Sequence, residues 1–325
     1  MSLIPVVSAL AAGVLIDAIS PLPQPGDADF TTQPRHHLRF VMENDSPFGS
    51  DCNYTHGTRI DYAKSLPKNS HHAFGVSLTQ NIYTPEPHTK GAVPGDHPYA
   101  GYLAVGVAHI FTGEYVGNSM EFQVGTTGKP SFSFDTQDFV HKTCGLERWE
   151  GWGDQIPSEM TFQFSARQDF RLPWLETTTP GGLQTDATFV TREELGTVSI
   201  AAEAGVYFRF GRNLPPAMQV NGNHAADYGV GLIRKPGYDP YASSWFVLLG
   251  GSVRYVARDL FIEGGVFHDY EYACSIEPWV GEATAGIGLR RKGVDYYMGV
   301  VARTPNFHAQ KDDTFFGTFN FGFHW

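Results

Sequence analysis

The chain has 325 residues, of which 42% are hydrophobic and 14% aromatic, with 36 glycines and a formal net charge of −11. The length suits one large domain or two ordinary ones, and the acidic balance argues against a nucleic-acid partner. Glycine and aromatics recurring at intervals suit a β-rich architecture.

The longest apolar run, LIPVVSALAAGVLI from Leu3 to Ile16, is too short to cross a bilayer comfortably as a helix. It fits the apolar region of a signal peptide over residues 1–20, with Ala18-Ile19-Ser20 as the cleavage site, although no Lys or Arg precedes Arg35. The alternative is a buried N-terminal strand or helix. Residues 21–34 (PLPQPGDADFTTQP) read as a linker, and residues 35–325 as the folded body.

From there, segments of alternating character recur. They are 36–43, 54–63, 73–82, 102–111, 120–126, 160–170, 197–210, 245–256, 260–267, 283–289, 296–302 and 314–325. That is about twelve strands. In the last, Phe319, Phe321, Phe323 and Trp325 share one face, and Thr318, Asn320, Gly322 and His324 the other. Periodicity alone fits a soluble sandwich with the apolar face inward, or a membrane barrel with that face on lipid and the polar face lining the lumen. The terminal aromatic residue, the export signal without a helical anchor, and Tyr62, Tyr83, Tyr102 and Tyr297 as candidate interfacial girdle residues favour the barrel. The expected fold is therefore all-β, an antiparallel transmembrane β-barrel.

One segment breaks the β pattern. Residues 132–147 (FSFDTQDFVHKTCGLE) read as a short loop helix, capped by Asp135 or Thr136 and stopped by Gly145. Gln137 and His141 then share a face, and Asp138 and Lys142 form a second pair four apart. Cys52, Cys144 and Cys274 fall in no metal-binding spacing, and a Cys52–Cys144 disulfide stays open.

Polar residues cluster at 43–57, 79–102, 136–145 and 149–159. The ordered elements are Asn44-Asp45; Tyr54-Thr55-x-Gly57; Gln80-x-Ile82-Tyr83-x-Pro85; Gly95-Asp96-His97-Pro98-Tyr99-Ala100-Gly101-Tyr102; Gln137-x-x-x-His141; and Trp152-x-x-Gln155. Together they resemble the lipid A 3′-O-deacylase family of Gram-negative outer membranes, with motifs over about residues 36–170. The resemblance implies a twelve-stranded barrel whose active site lies near the outer rim, between the wall and an extracellular-loop helix. It implies a Ca²⁺-dependent ester hydrolase that removes the 3′-linked acyloxyacyl group from lipid A. It further implies a location in the outer membrane, lipopolysaccharide and outer-membrane lipids as partners, and a monomer.

By the same resemblance, His141 is the general base, and Asn44, Asp45 and Thr55 match active-site positions. Asp45 helps hold Ca²⁺, and Glu147 is the second candidate metal carboxylate near the site. Lys90 stands where the family carries a basic residue for a lipid phosphate, with Gly91 where a second can follow. Gln137, Trp152 and Gln155 are further candidates for substrate contact.

The residue types suit that chemistry. Imidazole accepts protons near neutrality, and a hard cation prefers oxygen ligands such as those of Asp45 and Asn44. No GxSxG elbow occurs. Each candidate also has a plainer reading. Asn44 and Asp45 suit turns, and Thr55 suits any strand. His141 is one of 13 histidines, and Trp152 and Gln155 suit loop bracing. His36-His37 and His71-His72 are adjacent pairs that point to opposite strand faces and make poor metal clips. The competing functions are a passive pore or structural barrel, and a phospholipase using a Ser–His pair.

Overall fold

A computed structural model describes residues 36–48, 52–66, 71–86, 90–215, 223–232, 238 and 242–325. The signal-peptide and linker readings lie outside these residues. Its strands are β1 (His36–Asn44), β2 (Asn53–Ser65), β3 (His72–Thr84), β4 (Ala100–Phe111), β5 (Val116–Thr127), β6 (Met160–Arg171), a two-residue β7 (Thr177–Thr178), β8 (Leu183–Gly196), β9 (Ser199–Arg212), β10 (Ser244–Asp259), β11 (Trp279–Arg291), β12 (Val294–Arg303) and β13 (Thr314–His324). The twelve long strands pair antiparallel with their neighbours in sequence, β1 pairs with β13, and β6 pairs with β8, so the sheet closes on itself. No helix among the described residues is long and apolar enough to cross a membrane; the strands do so.

The period-2 alternation explains both faces. Along β3, Phe74, Val76 and Leu78 are exposed while Ala73, Gly75, Ser77 and Thr79 face inward. Along β13, Phe315 and Phe323 face outward while Thr318, Asn320 and His324 face the lumen. The lumen is filled with paired charge. Arg39 bonds Asp61 (2.7 Å) and Asp227 (2.8 Å), and Arg59 bonds Glu121 (3.1 Å). Buried charges need such partners, since stripping one from a buried pair typically costs about 3–5 kcal/mol.

The ends of the barrel differ. His36 N–H donates to the Trp325 carbonyl (3.0 Å), so both termini of the barrel meet at one end. The opposite rim carries the long connections 45–52, 85–99, 128–159, 260–278 and 304–313. Outer-membrane barrels carry their longer loops outside the cell, so this rim is extracellular. The β9–β10 connection departs from the rule of short periplasmic turns. Of its described residues, 223–232 run inside the barrel. Tyr228, Val230 and Leu232 pack with Ala63, Ala73, Ala108 and Ile110 as a buried cluster, and Gly75 leaves room for the Tyr228 ring.

Three sequence expectations are corrected. Residues 260–267 do not form a strand: Leu260–Glu263 is a single helical turn, capped by Asp259 accepting from Phe261 N–H (2.9 Å). Leu260, Phe261 and Ile262 are all buried, which no exposed strand face allows. The twelfth strand is instead β8. Of the expected girdle tyrosines, Tyr62 keeps to the outer surface. Tyr83, Tyr102 and Tyr297 have lumenal parity and pack inside, against Phe261 in the first two cases and near Phe246 in the third. Finally, Cys52, Cys144 and Cys274 are not joined in any disulfide among the described residues, so the Cys52–Cys144 bridge left open by the sequence is not formed.

Candidate active site at the outer rim

The site is built on the outward face of β1–β4. Parity places Asn44 outward, in line with Leu38, Phe40 and Met42. A β-bulge interrupts the β2–β3 register between Tyr54 and His56 and frees Thr55 from the ladder; such bulges re-aim side chains next to functional sites. Thr55 then shares a hydrogen bond with Thr84 of β3, hydroxyl to hydroxyl, at 2.6 Å. Asn44 Nδ2 donates to the Thr55 carbonyl (3.1 Å), and Asn44 Oδ1 accepts from Ser46 N–H (2.8 Å). Asp45 is fully buried, and its Oδ2 accepts from Cys52 N–H (2.8 Å). Asn44, Asp45 and Thr55 thus form one oxygen-rich cluster.

The loop helix α1 (Ser133–Cys144) packs on the outer side of β3 and β4. Its start differs from the expectation: Phe132, in left-handed conformation, holds the N-cap position without a side-chain cap, and Asp135 lies in the first turn. Its stop is as expected. Gly145 takes φ 68°, and the N–H groups of Gly145 and Leu146 donate back to the His141 carbonyl. The helix inverts the usual amphipathic pattern. Ser133, Gln137 and His141, four apart, are the buried residues, whereas Phe139 is 70% exposed and Phe134 and Val140 are also exposed. Ser133 Oγ donates to the Asn81 carbonyl of β3 (3.3 Å), and Gln80 Nε2 donates to the Ser131 carbonyl (2.8 Å), so the polar stripe is tied to the wall.

His141 Nδ1 lies 2.5 Å from the Glu147 carbonyl. A carbonyl only accepts, so Nδ1 carries the proton and the neutral ring keeps its lone pair on Nε2. Past the helix end Arg148 pairs with Asp138 on the helix, and this bond holds the Asp138 carboxyl below the usual carboxylate range. Asp138 therefore bonds Arg148 rather than Lys142. Gln137 Oε1 accepts from Trp152 Nε1–H (2.7 Å), and Trp152 is buried with Ile82 and Tyr99. Gln155 Nε2 donates to the Trp152 carbonyl (3.0 Å), which makes it a loop brace.

The structure thus joins Gln137, His141, Trp152 and the Glu147 carbonyl on one side, and Asn44, Asp45 and Thr55 on the other, through β3. The Glu147 carboxylate itself is exposed. Lys90 is exposed too, 3.8 Å from Glu150. Among the described residues no three His, Cys, Asp or Glu side chains converge as a metal cage. Asp45, Asn44, Thr55 and backbone carbonyls offer only hard oxygen donors, the set Ca²⁺ takes. Thr84 and Ser133 were not singled out from sequence; their signal is the strand and helix parity they share with Gln80 and Gln137.

A family model described as "Outer membrane protein LpxR" matches residues 7–325. No curated protein sequence matches the chain. Among solved structures, LpxR from Salmonella typhimurium superposes with a TM-score of 0.76 at 16% identity, covering 89% of this chain and 100% of that one. The translocator domain of the autotransporter NalP from Neisseria meningitidis gives 0.44 at 9% identity, over 98% and 96% of the two chains. The β domain of the Bordetella autotransporter BrkA gives 0.42 at 10% identity, over 90% and 98%.

Proposed function

The chain belongs to the LpxR family of outer membrane proteins, and on that premise we propose that it is a lipid A 3′-O-deacylase, an ester hydrolase that removes the 3′-linked acyloxyacyl group of lipopolysaccharide and works as a monomer with His141 as general base. The observation that carries the reading is the buried stripe of Ser133, Gln137 and His141, turned toward an outer wall that bears Asn44 and Thr55. Burying three polar side chains against a membrane-facing wall is costly unless each is hydrogen-bonded, and a reactive site there gives the stripe a use.

Phe139 and Val140 of α1 are exposed, as are Val105 and Val107 on the outward face of β4, which suits acyl chains entering sideways from the leaflet. His141 Nε2 takes the proton of a water as that water attacks the ester carbonyl, and later returns it to the departing sugar oxygen. The Glu147 carbonyl holds the ring in the required tautomer. Trp152 occupies Gln137 Oε1, which leaves the buried Gln137 amide nitrogen as the donor offered to a developing oxyanion. Lys90, exposed on the rim, meets a lipid phosphate.

Calcium fits the donors present, with Asp45 as the charged ligand and Asn44 and neighbouring carbonyls completing the set. When bound, it would polarise the ester carbonyl. The test is mass spectrometry of lipid A incubated with the purified barrel, which reads the chain removed and the position cleaved.

A further inference from the structure

We propose that Asn223, carried into the lumen by the β9–β10 connection, is a positioning residue for the catalytic wall and acts on it from the opposite side of the sheet. Only the kinetic part of its test rests on the hydrolase reading above.

Three bonds radiate from this one residue. Its backbone N–H donates to Glu43 Oε1 (3.1 Å), and its Nδ2 donates to Asn81 Oδ1 (2.5 Å) and to the Tyr54 hydroxyl (3.2 Å). Tyr54 in turn donates to Glu43 Oε2 (2.6 Å). Glu43, Tyr54 and Asn81 belong to β1, β2 and β3, so Asn223 ties three strands together from within.

Sequence places the site directly behind them. Glu43 precedes Asn44, and successive strand residues point to opposite faces; Tyr54 precedes the bulged Thr55, whose hydroxyl meets Thr84 on the outward side. Asn81 links to both sides: its side chain accepts from Asn223 inside, and its carbonyl accepts from Ser133 of α1 outside. A path of direct bonds therefore runs from the lumen to the helix that carries His141.

Two further observations show that the fit is built. Glu43, Gly57 and Asn81 stand in register across the three strands. A Cβ on Gly57 would lie 1.9 Å from the Tyr54 hydroxyl and 2.4 Å from Asn223 Nδ2, so the glycine of the Tyr54-Thr55-x-Gly57 element clears the seat that Asn223 occupies. The segment is also anchored close by. Asp227 pairs with Arg39 and with Arg167 (3.3 Å), and the Tyr228 hydroxyl donates to Glu121 (2.7 Å). Asn223 touches none of the residues that would meet substrate, so its effect is on their placement.

Amide hydrogen exchange of the folded barrel in detergent tests this without any need for turnover. Asn223→Ala should raise exchange about tenfold in residues 43–57 and in α1, with β6 and β9 unchanged, a scale set by losing one or two buried hydrogen bonds. Asn223→Gln, which keeps a donating amide, should recover part of the protection. Asn81→Ala removes the acceptor instead, should loosen the same segments, and should add nothing to Asn223→Ala. On lipid A, Asn223→Ala should lower kcat about tenfold with KM nearly unchanged. Unchanged exchange in both segments, or an equal rise around the whole barrel, would overturn the proposal by making Asn223 mere lumen filling. A wild-type barrel that hydrolyses nothing would overturn the hydrolase reading and leave the exchange result to decide this one.

Discussion

His141 and Glu147 are joined across a helix end: the imidazole Nδ1–H donates to the Glu147 carbonyl at 2.5 Å, just past the Gly145 stop. The bond gives Glu147 a role through its backbone carbonyl, and substitution tests the metal role expected of its carboxylate. Glu147→Gln keeps the carbonyl and should retain activity within about twofold, since exposed side-chain changes are usually within about 0.5 kcal/mol. A loss of a hundredfold or more in steady-state assays would mean that the carboxylate binds metal or substrate.

Trp152 supports Gln137 by a single bond to Oε1. Trp152→Phe preserves the packing against Ile82 and Tyr99 but frees the Gln137 amide to rotate. Turnover should fall about fivefold to tenfold, the value of about 1 kcal/mol for one buried hydrogen bond. Unchanged kcat would remove Gln137 from the mechanism.

For the metal, Asp45→Asn is a clean probe. The amide oxygen still accepts from Cys52 N–H, so the hairpin keeps its shape while one ligand charge is lost. Activity should drop strongly and should need more added Ca²⁺. Wild-type activity should vanish in excess chelator and return with Ca²⁺. Full activity in chelator would sink the metal role.

The lumen should not conduct. Tyr228, Val230 and Leu232 fill part of it against β2, β3 and β4, and Asp227 fixes the segment to Arg39 and Arg167. Planar-bilayer recordings of the wild type should show no steady current. Steady porin-like steps would revive the passive-pore reading.

Acid should weaken the extracellular loops through His97. Burial pushes its imidazole down to about 4, and the ring stacks on Tyr83 at 5.3 Å. Between pH 6.5, the usual histidine value, and pH 4, the unfolded chain takes up a proton that the folded one refuses. Stability from this group is therefore full above pH 6.5 and falls as pH drops through that window. Thermal unfolding in detergent should show this decline, and His97→Phe should flatten it. An identical pH dependence in the variant would exclude His97 as the cause.

How much of this was legible in the sequence depended on contrast between strand faces. β13 alternates aromatic with polar residues, and its faces came out as read. β8 was missed because Phe189 is the one aromatic on its outward face, while Arg192, Glu193 and Glu194 run together. The segment at 260–267 misled for the opposite reason: Leu260, Phe261 and Ile262 are apolar without alternating, and all three are buried. Position near a strand end suggests a girdle tyrosine, but parity decides the face, and for Tyr83, Tyr102 and Tyr297 it is lumenal. At the site, Asn44, Thr55, Gln137 and His141 were visible as motif residues. Asn223 was not, because it sits in a long connection with no pattern of its own; its one trace is Gly57, conspicuous in the motif and explained only by what approaches it from the lumen.

The most direct measurement follows lipid A by mass spectrometry during incubation with wild-type and His141→Gln barrels, both checked for heat-modifiable gel mobility. Wild type should lose the 3′-linked acyloxyacyl group and nothing else. His141→Gln keeps a hydrogen-bonding side chain but has no base, so its rate should fall by about 10²–10⁴-fold. Near-normal conversion by folded His141→Gln, or release of a chain from another position, would contradict the account.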